Sequence, residues 1–427
     1  MRRRQPARLS AGFATVLGMR FLHTSDWHLG RSLHKADLRE AQAAFLDHLV
    51  ETAGSERVDA VLVAGDVYDR AIPPVDSVAL YEEALARLRA TGARVILISG
   101  NHDSARRLGV NSALIDASGV HLRTRSAALA DPVLLADERG QLAVYGVPYL
   151  EPALGMADAR LADAAPRDAE PATGTRSHAS VLSAAIDLIH ADAAARGTTR
   201  AVVLAHAWVT NGRDEHERAQ TAQGQASASE RDISVGGIGY VPASLFDGFS
   251  YVALGHLHGR QTLAEHMRYS GSPLPYSFSE KDHKKGSWLV EVAADGQASA
   301  EWVPAPVYRR LTVLAGRLDD LLASREHDRR ESDFIAVTLT DTVRPEGAMD
   351  KLRARFPHIL TLEFKPEGAA ADPRSYGQKV KGRDDLSVAA EFVRHVRNTD
   401  ATGAERQLLA AAFTAARDSA ARDEGER

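Results

Sequence analysis

Aspartate, histidine and asparagine recur in five short patches whose side chains can bind a metal cation. They are Asp26 and His28 in SDWHLG, Asp66 in AGDVYD, Asn101, His102 and Asp103 in SGNHDS, His206 in LAHAWV, and His256 with His258 in LGHLH. Imidazole, carboxylate and amide oxygen make an N/O site, which suits manganese, magnesium, iron or zinc. The chain has no cysteine, so thiolate ligation and disulfides are both excluded. Asp26, His28, Asp66, Asn101, His206, His256 and His258 are more candidate ligands than one small cation uses. That favours two ions roughly 3.5–4 Å apart, and hence hydrolysis of a phosphoester by in-line displacement. Asp66 follows a glycine, which lets the turn carry its carboxylate close to a cation and suits it to bridge two. His102, beside Asn101, is placed to stabilise the transition state or protonate the leaving oxygen, with Asp103 expected to orient its ring.

Most of the patches follow an apolar, strand-like run: 21–22, 60–64, 95–98, 202–204 and 251–254. Polar groups at the carboxyl ends of buried parallel strands are where an open α/β sheet holds its ligand. Asp26 and His28 flank Trp27 in what reads as an extended segment, where alternate residues share a face. From residue 20 the chain alternates strands (21–24, 59–64, 94–98) with an amphipathic helix (38–53) and a second helix (76–91), as a layered α/β fold requires. A hairpin is expected at 133–135 and 142–147. A surface excursion at 151–174 then leads into a long helix at 175–196. Strand signals at 267–271 and 287–292 suggest antiparallel members at the sheet's rim.

The composition shifts after Pro304 and Pro306. Strand-like runs at 309–315, 333–340 and 359–364 alternate with helix-like 318–325 and 347–356, a β-α-β-α-β order for a small second domain. Polar, Gly/Pro-containing 368–383 reads as a linker. Beyond it, 387–397 and 403–422 read as helices that need something to dock on. The expected division is an N-terminal extension at 1–18, a main domain at 19–304, a small domain at 305–367, the linker at 368–383 and C-terminal helices at 384–427.

With 427 residues, 44% hydrophobic and 26% charged, the composition is globular and has room for two or three domains. A formal net charge of −5 argues against binding nucleic acid by bulk basicity, so a DNA-acting chain of this kind needs local patches or a basic partner. No run approaches the eighteen or so apolar residues of a membrane span. Absence of cysteine is compatible with the cytosol. The opening residues have a superficial signal-peptide look, but the first strand follows without space for a cleavage site. An extension preceding a natural start at Met19 is the simpler expectation.

The order D-x-H, GD-x-x-D, GNHD, H and GHxH resembles the calcineurin-like metallophosphoesterase superfamily. The longer strings FLHTSDWHLGRSL, VLVAGDVYDRAIPP, VILISGNHDS, YVALGHLHGRQ and YSGSPLPYSFSE resemble its SbcD-type nuclease subunits. The resemblance implies a layered α/β fold, central β-sheets flanked by helices, with a small α/β capping domain and C-terminal helices. It further implies two manganese ions, with Mg2+, Fe2+ or Zn2+ as alternatives. Asp26, His28, Asp66 and His258 would hold one ion, and Asp66, Asn101, His206 and His256 the other. His102 would be the catalytic histidine, with Asp103 behind it. The small domain would cap the site and help place DNA.

The partners implied are an SbcC-type ABC ATPase, whose coiled coil the tail helices bind, and double-stranded DNA ends and hairpins. A homodimer within a heterotetramer is expected through helices 38–53 and 76–91, in a cytoplasmic, nucleoid-associated setting. The tail helix is richer in alanine than is usual for the family, which bears on the strength of partner docking. Arg31, His34, Lys35, Arg106 and Arg107 follow the metal-motif strands and are candidate DNA contacts. His23 and His48 are expected to be structural or at the surface. The Glu/Gln/Ser-rich loop 211–231 is expected near the metal face. Two readings compete with an ATP-regulated nuclease: a phosphoesterase acting on nucleotides or phosphoproteins, which needs no cap and tail, and a non-catalytic DNA-end tether, which has no physical reason to keep costly buried polar groups.

Overall fold

A computed structural model describes residues 18–152, 177–212, 239–367, 383–397 and 400–425. The extension at 1–18, the excursion at 151–174, the loop at 211–231 and the linker at 368–383 lie outside the described residues except at their edges. The chain divides into two compact units, Met1–Tyr308 and Arg309–Arg427.

Valine, leucine and isoleucine runs make the strands of the first unit: β1 (Met19–Thr24), β2 (Ala60–Ala64), β3 (Arg94–Ile98), β4 (Val120–Arg123), β5 (Val133–Asp137), β6 (Gly140–Val147), β7 (Ala201–His206), β8 (Tyr251–Gly255), β9 (Gln261–Ala264), β10 (Met267–Tyr269), β11 (Gly286–Val292) and β12 (Ala298–Pro304). They form two six-stranded sheets, ordered β12-β11-β1-β2-β3-β4 and β9-β10-β8-β7-β6-β5. β1 to β4 pair in parallel, as do β6, β7, β8 and β10. Antiparallel β11 and β12 extend one sheet, and β5 and β9 edge the other. The strand at Met267–Tyr269 is therefore not an antiparallel rim member as expected. It pairs in parallel with β8, and the antiparallel edge belongs to Gln261–Ala264, a short and half-exposed run that carries little apolar signal.

Side chains alternate across a strand, and here both faces are apolar. Ala60 and Leu62 of β2, Ile96 and Ile98 of β3, Val202 and Leu204 of β7, and Tyr251 and Ala253 of β8 meet in one core between the sheets. Val61, Val63, Val95 and Leu97 face outward onto Phe45, Leu46 and Leu49 of α1 (Arg39–Ser55) and Ala84 and Leu88 of α2 (Val75–Ala90). Val203, Ala205, Val252 and Leu254 face α3 (His178–Arg196) through Val181, Leu182, Ile186 and Ile189. The result is four layers: helix, sheet, sheet, helix.

The second unit has a parallel sheet β13-β14-β15 (Leu311–Gly316, Phe334–Leu339, Ile359–Phe364) with α4 (Leu318–Ala323) and α5 (Ala348–Arg355). Ile335, Val337, Leu352 and Phe356 centre its core. Two further helices follow, α6 (Asp385–Arg397) and α7 (Gly403–Gly425). Between Gly403 and Arg417 no residue of α7 is buried. No helix among the described residues is long and apolar enough to cross a membrane.

Candidate metal centre

The five patches do not share one sheet. Asp26 and His28 follow β1, Asp66 follows β2 and Asn101 follows β3, whereas His206 closes β7 and His256 and His258 follow β8. Both sheets present carboxyl ends at the same place. His206 Nδ1 pairs with the Ala64 carbonyl of the opposite sheet at 2.8 Å. A Cβ added to Gly255 would stand 1.9 Å from that same oxygen, so only glycine lets β8 approach β2 this closely.

The segment carrying Asp26 and His28 is not extended, contrary to the sequence expectation. Asp26 (φ 53), His28 (φ 44), Asp66 (φ 50) and His256 (φ 108) all have left-handed backbone, and Gly65 stands at φ 89. Such conformations cost on the order of 1–3 kcal/mol each for non-glycine residues and persist only where surroundings enforce them. Here two loops brace each other: Asp26 N donates to Gly65 O and His28 N to Asp66 O, both at 3.0 Å. Trp27, fully buried between the two ligands, fixes the turn by donating to Thr24 Oγ1.

The ligand atoms converge in two groups that have Asp26 in common, and Asp66 reaches toward both. Asp26, His28 and His258 bring ligand atoms within 4.8 Å of one another, as do Asp26, Asp66 and His206. Asp66 Oδ2 lies 3.6 Å from His28 Nε2 and 3.5 Å from His206 Nε2, between the groups. Asn101 Oδ1 is 3.0 Å from both His206 Nε2 and His256 Nδ1. His28 Nε2 and His258 Nε2 face each other at 3.1 Å. Carbonyl and carboxylate oxygens only accept, so His206 Nδ1 on Ala64 and His258 Nδ1 on Glu280 carry hydrogens, and the Nε2 atoms are the ones that face inward. Converging imidazole nitrogens with carboxylate and amide oxygens are the donor set of a hard or borderline cation, and the residues present fit divalent metal ions.

Charge points the same way. Burial pushes the Asp26 carboxyl up to about 6, with Asp66 adding to the effect. Burial also works against the Asp66 carboxylate, but the rings of His206, His28 and His102 outweigh it and hold the group well below its ordinary range. Burial keeps His28 far below its ordinary value and, with His206, brings His256 down to about 3. His206 goes the other way: burial is overcome by Asp66 and Asp26, which raise it to about 9. Two buried carboxylates face one charged ring, His206, and rings held neutral by burial, so the centre still calls for positive charge.

The expected pairing of His102 with Asp103 is not made. His102 Nδ1 instead pairs with the Asp69 carbonyl at 2.8 Å, and His102 N donates to Asp66 Oδ1. The Asp103 carboxylate accepts from Gly100 N, Val67 N and Tyr68 N, tying the GNHD loop to the AGDVYD loop. Adjacent residues in a tight loop point apart, so a carboxylate next in sequence is badly placed to reach the ring. Burial and Asp66 push Asp103 up to about 7 against those donors.

Sequence reasoning missed three contributors. Asp69 has one carboxylate oxygen 3.7 Å from His28 Nδ1 and 3.2 Å from Arg31, and with His28 and His102 it makes a third convergent group. Glu280 lies behind His258, and Ser25 Oγ donates to Asp26 Oδ2. Their signal was present in AGDVYD, SDWHLG and YSFSE, but nothing in spacing alone separates such residues from loop polarity. His23 is a structural residue: it is fully buried, bonded to Tyr251 Oη and Leu254 O across the sheets, and brought down to about 3 by burial. His48 lies half-buried on α1.

Of the candidate DNA contacts, Arg31 is half-buried between Asp69 and the Tyr276 ring. His34 (φ 47) and Lys35 (φ 72) form the exposed tip of a two-residue hairpin joining Ser32–Leu33 to Ala36–Asp37. Arg107 donates to Ala71 O, and Arg106 is exposed beside it.

Residues 19–260 match the family model of the calcineurin-like phosphoesterases. Residues 307–397 match SbcD_C, described as the type 5 capsule protein repressor C-terminal domain. Among solved structures, a dimetal phosphatase from Danio rerio is similar at 14% identity and a TM-score of 0.33, covering 67% of this chain and 99% of the other. A psychrophilic beta-glucosidase from Micrococcus antarcticus matches at 11% identity and a TM-score of 0.21, over 81% and 83% of the two chains. Likenesses this weak carry no argument.

Proposed function

The chain belongs to the calcineurin-like phosphoesterases, and from that premise we propose that it is an SbcD-type nuclease subunit that hydrolyses DNA phosphodiesters with two divalent ions. The observation that carries the reading is the single oxygen, Asp66 Oδ2, which lies within 3.6 Å of a ring nitrogen from each of two convergent groups of ligand atoms. One ion would be held by Asp26, His28, Asp66 and His258, the other by Asp66, Asn101, His206 and His256. Manganese is the proposed metal. Bound ions supply Lewis acidity, a strong nucleophile at neutral pH and a template for in-line displacement.

The chain's own residues do the rest. Asp66 Oδ1 accepts from His102 N, so the carboxylate that spans the ligand groups also places the catalytic histidine. With Nδ1 committed to the Asp69 carbonyl, Nε2 is the atom through which His102 exchanges a proton with the leaving oxygen. The Asp103 clamp holds both loops in register, a positioning role different from ring orientation.

The substrate assignment rests on the match of 307–397 to the SbcD_C model. We read DNA ends and hairpins as substrates, an SbcC-type ATPase as the regulating partner, and the second unit as the element that places DNA. α6 and α7 are read as the ATPase-binding segment, since Phe392 (54%) and Leu408 (71%) are large apolar residues left exposed on them. For homodimerisation α2 offers the better face: Val75 and Val78 are exposed on it, and an apolar groove of about 630 Å³ lies alongside. The test is cleavage of a hairpin DNA by the chain with its ATPase partner, with and without Mn2+, using Asp66→Ala and His102→Ala as controls. Metal-dependent cleavage lost in both variants is expected. Cleavage of small phosphoesters but never of DNA overturns the nuclease reading in favour of a nucleotide or phosphoprotein hydrolase.

A further inference from the structure

Glu280 is fully buried and belongs to none of the five patches. Its Oε1 lies 3.1 Å from His258 Nδ1. Its Oε2 accepts from Lys285 Nζ at 2.7 Å and from Tyr276 N at 3.3 Å. Lys285 Nζ also donates to His258 O and to Ser272 Oγ, each at 2.8 Å. His258 is thus gripped twice, through its ring by the carboxylate and through its backbone by the ammonium.

Removing one partner of a buried ion pair is strongly destabilising, and a lone carboxylate here would be costly. Paired with Lys285 it adds no net charge to the ligand cage. What it adds is direction and basicity: a carboxylate behind Nδ1 fixes the tautomer and makes Nε2 a stronger donor. His206, among the ligands assigned to the other ion, is backed by the neutral Ala64 carbonyl instead. Among the described residues His28 Nδ1 has no hydrogen-bond partner, and it stands 3.7 Å from Asp69 Oδ1. The two groups of ligands are therefore supported unequally.

We propose that Glu280 and Lys285 are positioning residues that set the affinity of the ion held by Asp26, His28 and His258, so that the two ions bind with separate affinities. This rests on the two-ion reading of the centre and not on the DNA assignment.

The test is calorimetric titration of the metal-free full chain with Mn2+, alongside thermal denaturation without metal. Wild type should bind two ions in resolvable steps. Glu280→Gln should lose roughly 10–100-fold in affinity at one step and leave the other in place, the usual effect of losing such a partner. Glu280→Gln leaves the Lys285 ammonium buried without its anion and lowers thermal stability. The double variant Glu280→Gln/Lys285→Met removes that defect, so it should regain stability while the weakened step stays weak, an outcome a purely structural role does not produce. If the single variant does not fold, the double variant carries the test. The proposal is overturned if neither affinity changes, or if both fall together and recover with stability in the double variant. Wild type binding fewer than two ions overturns the two-ion reading, and this proposal with it.

Discussion

His102 and His206 each donate through Nδ1 to a backbone carbonyl, that of Asp69 and that of Ala64. In His102, with Nδ1 donating to a carbonyl, Nε2 is the atom left for the proposed proton transfer to the leaving oxygen. His102→Asn is therefore expected to bind metal as wild type does and to cleave DNA roughly 10²–10⁴-fold more slowly, the range for losing a general acid. The deficit should shrink on bis-p-nitrophenyl phosphate, whose leaving group needs no proton; equal losses on both esters would place His102 outside proton transfer. His206 is raised to about 9, so in the metal-free protein it is charged below that pH, yet an ion requires its lone pair. Loading metal at pH 7.5 must then expel about one proton from this ring. Apparent affinity should rise with pH up to about 9, and binding heats in buffers of different ionisation enthalpy read the release directly; no proton release at pH 7.5 contradicts the charged ring.

The strands and loops explain why these residues meet. Gly255 lies at the contact between the sheets, where a Cβ would come within 1.9 Å of Ala64 O. Backbone cannot yield as a side-chain tip does, so Gly255→Ala should destabilise by about 3 kcal/mol or more, the upper end for overpacking. It should also weaken metal binding through His206, which bonds the same carbonyl. A melting temperature near wild type would show that the sheets are free to separate. The elements themselves were largely legible: apolar runs marked β1, β2, β3, β7 and β8, and 38–53 carries the amphipathic spacing of α1. The distribution of the strands over two sheets was not legible, because Val61 and Leu62 are equally apolar and only packing shows that one faces a helix and the other a second sheet. At the site, the ligand types could be read from the patches. The left-handed turns at Asp26, His28 and Asp66 could not, since carbonyl pairing between separate loops braces them, nor could that at His256, whose N donates to the Asp26 carboxylate. The same holds for Asp69 taking the place expected of Asp103.

At the scale of the whole molecule the governing quantity is charge. The chain carries −5 and its proposed substrate is a polyanion, so phosphate contacts alone supply little attraction. On the proposed reading, local basic patches or a basic partner bring the DNA, and the segment read as holding that partner is the helix pair α6–α7. Arg417 and Asp385 join these helices, but along α7 only residues such as Leu409 and Phe413 are even half-buried, whereas Phe392 and Leu408 are exposed. Exposed apolar side chains of this size on a helix pair are what a coiled-coil surface covers by burying apolar area. None of the metal ligands lies in this segment. Deleting residues 384–427 should therefore abolish co-purification with the ATPase and cleavage of hairpin DNA by the assembly, while two Mn2+ ions still bind and bis-p-nitrophenyl phosphate is still hydrolysed at the wild-type rate. Retained co-purification would move the partner site to another surface. Loss of metal binding together with the partner would mean that the tail supports the catalytic unit itself.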